Sequence, residues 1–242
     1  MDAQSLTNVL GILRLMNARN TKTLDVIKGW CGGGAQQEVH LRVACYVQEQ
    51  IRLAQEVIAS SQLTDEAKAG VSGTLTGMSN AFSLENLNSP FTNHVGNVTG
   101  SISNFVILLS ASGISESTAL PEDLSNLIRE IADTMTLFDD ATIDPAVRDV
   151  AKRHLQILST LLQHIPIFGL EAALTSYFEL MMKVRRTDSG SSEASHAKTA
   201  PIWDKMKAWG SRLDSIDKLI NGAVKLGDKA QKAAGLLDYI PG

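Results

Sequence analysis

Charge is what the sequence most conspicuously lacks, over one long stretch. Between residues 69 and 115 only Glu85 carries a formal charge, whereas acids and bases fall every few residues on either side. A stretch with so little to favour hydration is expected to be buried. Cysteine is scarce as well: Cys31 and Cys45 are the only two, without CxxC spacing or a histidine at zinc-ligand spacing. That argues against a zinc module and points to reduced thiols in a cytoplasmic protein, with a single disulfide as the alternative. Basic excess is missing too. The formal net charge is −4, which argues against a dedicated nucleic-acid binder, since such a protein needs a basic face to displace counterions from phosphates. No run reaches the roughly 18 apolar residues of a constitutive membrane span, and Met1-Asp2-Ala3-Gln4 lacks a signal-peptide pattern. The single sequon, Asn97-Val98-Thr99, is therefore read as coincidence.

What the chain does have is helical periodicity. Apolar residues make up 44% of its 242 positions and aromatics only 5%, with Ala and Leu abundant, which favours helix over strand. Leu6, Val9, Leu10, Leu13 and Met16 recur at helical spacing behind Ser5, the expected cap. A short piece over 24–30 ends at Cys31-Gly32-Gly33-Gly34. A longer helix over 35–59 buries Val39, Val43, Val47, Ile51, Ala54 and Ile58. Thr64 caps the next, whose first turn carries Asp65 and Glu66 at the positive end of the helix dipole.

That helix runs into the uncharged stretch. A return arm is expected from Ser89-Pro90 to Gly113, with a stripe of Phe91, Val95, Val98, Ile102, Phe105 and Leu109. Gly73, Gly77 and Ala81 on one arm, and Gly96 and Gly100 on the other, sit four apart. Small residues at that spacing predict a central hairpin with its glycine faces in contact. Further helices follow Pro121 (Leu124, Leu127, Ile128, Ile131, Met135 and Phe138 inward), Asp144-Pro145 (Val147, Ala151, His154, Leu158, Leu161, Ile165) and Gly169 (Leu170, Leu174, Tyr177, Met181, Val184).

The chain divides into an expected body over 1–186, a Ser-rich linker over 187–200 and an amphipathic C-terminal segment over 201–242. In that last segment Ile202, Met206, Trp209, Leu213, Ile216 and Ile220 form a narrow seam at alternating spacings of four and three, whose register runs on towards Leu237 with a break expected at Gly222 and Gly227. The segment is weakly basic, with seven Lys/Arg against five Asp/Glu. The architecture predicted is all-α: a bundle of about eight helices with a tethered C-terminal helix.

Chemistry-bearing patterns are sparse. Gly32-Gly33-Gly34 precedes a helix, but no GxGxxG or GxxxxGK[ST] accompanies it, so a turn is expected and not a phosphate cradle. Asp139, Asp140 and Asp144 lack the alternation, glycine and distal glutamate of a calcium loop. His154 lies in an apolar seam and His164 ten residues on, with no metal pairing between them. No catalytic residue, metal ligand or cofactor site is assigned. The function expected is non-enzymatic: association with a protein partner or a second copy through the C-terminal helix, with Ile202, Met206, Trp209, Leu213, Ile216 and Ile220 as the contact. Conditional membrane insertion of 69–115 and an enzyme with a spatially assembled site are the alternatives.

Overall fold

The computed structural model describes residues 4–17, 21–32, 35–61, 63–111 and 122–221. Gly33, Gly34, Gly113, Pro121 and everything from Gly222 onward, including Gly227 and Leu237, lie outside these. The described residues form ten α-helices and no strand: α1 Gln4–Asn17, α2 Thr23–Cys31, α3 Gln37–Ser60, α4 Asp65–Ala81, α5 Thr92–Val95, α6 Val98–Ala111, α7 Glu122–Leu137, α8 Pro145–Gln163, α9 Ile165–Asp188 and α10 Glu193–Asn221. The all-α class is the one the periodicity predicts.

The helices group into two compact units. Unit 1 takes Met1–Thr118 and His164–Gly169, and unit 2 takes Ala119–Gln163 and Leu170–Gly242. This division crosses the expected body of 1–186. It falls at Gly169, whose φ of 72° interrupts α9. The single turn before it brings His164 and Phe168 against Trp30 in unit 1, and Trp30 in turn stacks on Phe82. Burial pushes the His164 imidazole down, against a hydrogen bond to the Trp30 backbone.

In unit 1 the expected stripe of α3 is buried in full. Thr64 caps α4, its Oγ1 accepting from the Ala67 amide. Ser5, the cap expected for α1, lies one residue inside that helix. Two expectations for the uncharged hairpin are corrected. Its return arm is two helices, because Gly96 adopts φ 67° and Asn97 restarts the helix by accepting the Gly100 amide at 2.9 Å. The expected start at Ser89 is spent differently: the first amides of α2 donate to the Ser89 and Leu87 carbonyls at 3.1 and 2.7 Å, satisfying donors that a helix leaves open.

Nor do the glycine faces meet. α6 packs chiefly on α1, and touches α4 where Thr74 Oγ1 and Ser101 Oγ lie 3.0 Å apart. Gly73 and Gly96 are exposed, with open space around them. Gly77 is pressed by backbone, with the His94 carbonyl 2.5 Å from where a Cβ would sit, and Gly100 by its own cap, with Asn97 Nδ2 at 2.7 Å. Two substitutions four residues apart therefore have opposite signs. Gly73→Ala is expected to stabilise by about 0.5–1 kcal/mol through helix propensity. Gly77→Ala is expected to destabilise by about 1–3 kcal/mol, because backbone and not a flexible side chain must move. Denaturant titration of the two variants checks the pair, and equal signs would contradict the packing described.

In unit 2, α7, α8 and α10 pack around Leu124, Leu127, Ile131, Val147, Ala151, Leu158 and Leu161, all buried. Asp144 caps α8, its Oδ1 accepting from the Ala146 amide at 2.8 Å. The segment expected as a flexible linker is mostly helix. α9 continues to Asp188, residues 189–192 make the turn, and α10 starts at Glu193. The reason is visible in the burial pattern. Ser195 and Thr199 are buried and extend the spacing of the seam upstream by two positions, as small polar side chains facing the unit's interior.

Candidate functional site at the C-terminal helix

Ile202, Met206, Trp209, Leu213 and Ile216 lie on one face of α10, and all five are buried within unit 2. Ile220 falls in the last turn of the same helix. The seam expected to meet a partner is thus occupied by the protein's own core, which completes itself with these side chains. Trp209 is fully buried, and its indole N–H has no acceptor among the described residues. Beside it Tyr177 donates to the Met206 carbonyl at 3.3 Å, and its hydroxyl would lie 2.9 Å from a Cβ at Gly210. A side chain at 210 would displace the phenol. Burial pushes the Tyr177 hydroxyl up to about 12, so it stays a donor throughout the working pH range.

Polar groups hold α10 at both ends of this face. Towards its C-terminal half, Arg212 pairs with Glu130 of α7 at 2.6 Å and reaches the Asp123 carbonyl at 3.4 Å. At its start, Lys198 pairs with Asp140 at 3.2 Å, and buried Ser195 accepts from the Asp144 amide at 3.0 Å, tying α10 to the turn between α7 and α8. The Thr142 amide, with Lys198, holds the exposed Asp140 carboxyl down at about 2.

The densest polar cluster centres on Asp188, which the sequence reading passed over. Its Oδ2 accepts from Thr199 Oγ1 at 2.9 Å and from Trp203 Nε1 at 3.1 Å, with His196 Nδ1 at 3.2 Å. Its Oδ1 accepts from Ser191 Oγ at 2.9 Å. Burial by itself raises the carboxyl's pKa. The bonds from Trp203, Thr199, Ser191 and His196 outweigh it and hold the group below its ordinary value. Four donors take up its lone pairs, so Asp188 is a fixed anion that sets geometry. The donors flank Pro201, which lies inside α10 and removes a helix hydrogen bond there. The carboxylate therefore braces the helix where its own ladder is interrupted. His196, Thr199 and Trp203 stand at i, i+3 and i+7, one face of a helix, and that spacing was legible once the helix was extended upstream.

Elsewhere the titratable groups are dispersed. Among the described residues no three His, Cys, Asp or Glu side chains converge on a metal position. A shallow groove of about 200 Å³ is lined by Met135, Thr136, Asp139, Lys152 and Gln156, and Asp139 and Lys152 pair with each other. Burial and then the nearby Lys28 charge push the His40 imidazole below its ordinary value. Cys31 is buried and Cys45 exposed, and no disulfide joins them. One described helix, Ile165–Asp188, is long and apolar enough to cross a membrane by length and composition. Its most apolar window is 67% buried, and Gly169 breaks it. No family model, curated protein or solved structure matches the chain.

Proposed function

We propose that this protein works by association and not by catalysis, and that its contact surface is the outward side of α4 and α6. The observation that carries this reading is the lack of charge on an exposed surface. Gly70, Ser72, Gly73, Thr76 and Asn80 of α4 face outward, as do Ser103, Asn104, Ile107 and Ser110 of α6, and Ile107 is 66% exposed. Depletion of charged residues is the compositional mark of an interface centre, and small side chains let another backbone come close. The apolar seam of α10, by contrast, is filled from within unit 2.

The same surface bears on the membrane alternative. Ser103, Asn104 and Ser110 put polar groups on the exposed side of α6, which lipid would leave without partners, so a protein or a second copy is the better-matched partner. The test uses the full chain and an Ile107→Lys variant, which alters an exposed position and leaves the core intact. The variant is expected to lose concentration-dependent association, read by analytical ultracentrifugation, or retention of a co-purifying protein, with an unchanged circular dichroism spectrum. Association equal in both proteins would end this reading. Dye release from anionic liposomes by the wild type, abolished by Ile107→Lys, would favour membrane action instead.

A further inference from the structure

We propose that α10 exchanges between copies of this chain, its seam over 202–216 docking on unit 2 of a second copy in place of its own. The partner is fixed by identity. Every group that holds α10 from outside the turn is presented equally by another copy: the apolar face of unit 2, Glu130 for Arg212, Asp140 for Lys198, and the Tyr177 hydroxyl for the Met206 carbonyl. An exchanged dimer re-forms each of these contacts once per helix, so they do not distinguish monomer from dimer.

What does distinguish them is the turn at 189–192. The Ser189 amide still makes a helical bond to the Arg185 carbonyl at 2.9 Å, and the bonds that belong to the reversal are the Gly190 amide to the Thr187 carbonyl at 3.3 Å and the Ser191 amide to the Asp188 carbonyl at 2.8 Å. The residues are Ser-Gly-Ser-Ser, poor helix formers that favour reversal. A Cβ at Gly190 comes no nearer than 3.8 Å to the Thr187 carbonyl, so alanine is sterically allowed there. Straightening the turn into helix opens the hairpin, and a second copy closes it. Asp188 has a separate part. Its bonds to His196, Thr199 and Trp203 must break before α10 leaves and re-form after it docks, so the carboxylate governs the rate of opening more than the balance of states.

The experiment uses the full chain and three variants. The first replaces Ser189, Gly190, Ser191 and Ser192 together by alanine, the second is Asp188→Asn, and the third adds Ile107→Lys to the alanine variant. The alanine variant is expected to be dimeric by light scattering at concentrations where the wild type is monomeric, with unchanged helicity. Asp188→Asn is expected to raise hydrogen exchange over 202–216 about tenfold, leaving α1, α3 and α4 unchanged. A dimer that survives Ile107→Lys supports exchange through α10. One that dissolves belongs to the α4 and α6 surface and overturns the proposal, as does a helical alanine variant that stays monomeric. Should the alanine variant fail to fold, wild type refolded at high concentration decides: a separable dimer supports the exchange, and monomer alone overturns it.

Discussion

Trp209→Ala is expected to destabilise unit 2 by about 3–5 kcal/mol, the largest effect of any single truncation proposed here. Trp209 is the largest fully buried side chain, placed on the face of α10 that unit 2 closes around. Its removal leaves a cavity that Met206 and Leu213, one turn away on either side, cannot fill without moving the helix. Trp209→Phe makes the informative contrast. The indole N–H is buried without an acceptor, a condition costing about 1–3 kcal/mol, and phenylalanine removes it while keeping most of the apolar volume. The phenylalanine variant is therefore expected to lose about 1 kcal/mol or less. Because the chain has two compact units, one unfolding midpoint does not isolate the effect. Hydrogen exchange of peptides from α7, α8 and α10 isolates it. Protection there should fall steeply in the alanine variant and hardly in the phenylalanine one. Equal losses in both would mean that the N–H is satisfied in solution.

Trp209 also marks how far the sequence carries. Its place in a regular apolar spacing identified a buried face, and Ile202, Met206, Leu213 and Ile216 are buried with it. Spacing does not say what covers a face, because a seam reads the same whether the covering helix is a neighbour or another protein. The helix start was missed for a related reason. Ser195 and Thr199 continue the same spacing, but serine and threonine also compose linkers, and here they are buried because they meet partners: the Asp144 amide for one, Asp188 for the other. Asp188 itself had no local signature. Its donors come from as far as 15 residues downstream and converge only when the chain reverses.

The uncharged stretch teaches the complementary lesson. Thr64, Asp65 and Glu66 marked the start of α4 correctly because caps are local chemistry. Burial was inferred from the absence of charge, and that step does not hold. Gly70, Ser72, Gly73, Thr76 and Asn80 are exposed, while Val71, Thr74, Leu75 and Met78 are buried, a normal amphipathic division drawn with small polar residues in place of charged ones. The glycine spacing was equally ambiguous. Of the glycines at that spacing, Gly77 is the one that admits another backbone, and its neighbour is α5, an element whose break at Gly96 depends on a positive φ that glycine permits without requiring.

Asp188→Ala is expected to cost about 3 kcal/mol at neutral pH, and the loss should have a characteristic pH dependence. The substitution strands the Trp203 indole, leaves His196 without its carboxylate, and leaves the Thr199 and Ser191 hydroxyls only the His196 and Asp188 carbonyls as acceptors. Hydrogen bonds to a charged group contribute about 1.5–3 kcal/mol each in isolation, but donors sharing one carboxylate act as a unit and do not sum. The sign with pH follows from the direction of the shift. The folded carboxyl lies below its ordinary value of 3.8, so in its ionised form it favours the folded state. That contribution is complete above the unfolded value and is lost as pH falls through the folded one. The stability gap between wild type and Asp188→Ala should then be flat from neutral pH down to about 4 and narrow below it. Thermal unfolding of the two proteins in parallel from neutral to strongly acid pH measures the gap directly, and acid loss common to both cancels in the difference. A gap that stays constant through the acid range would mean that Asp188 braces α10 by shape alone. A gap that narrows, together with faster exchange over 202–216, would identify the carboxylate's charge as what holds the C-terminal helix docked.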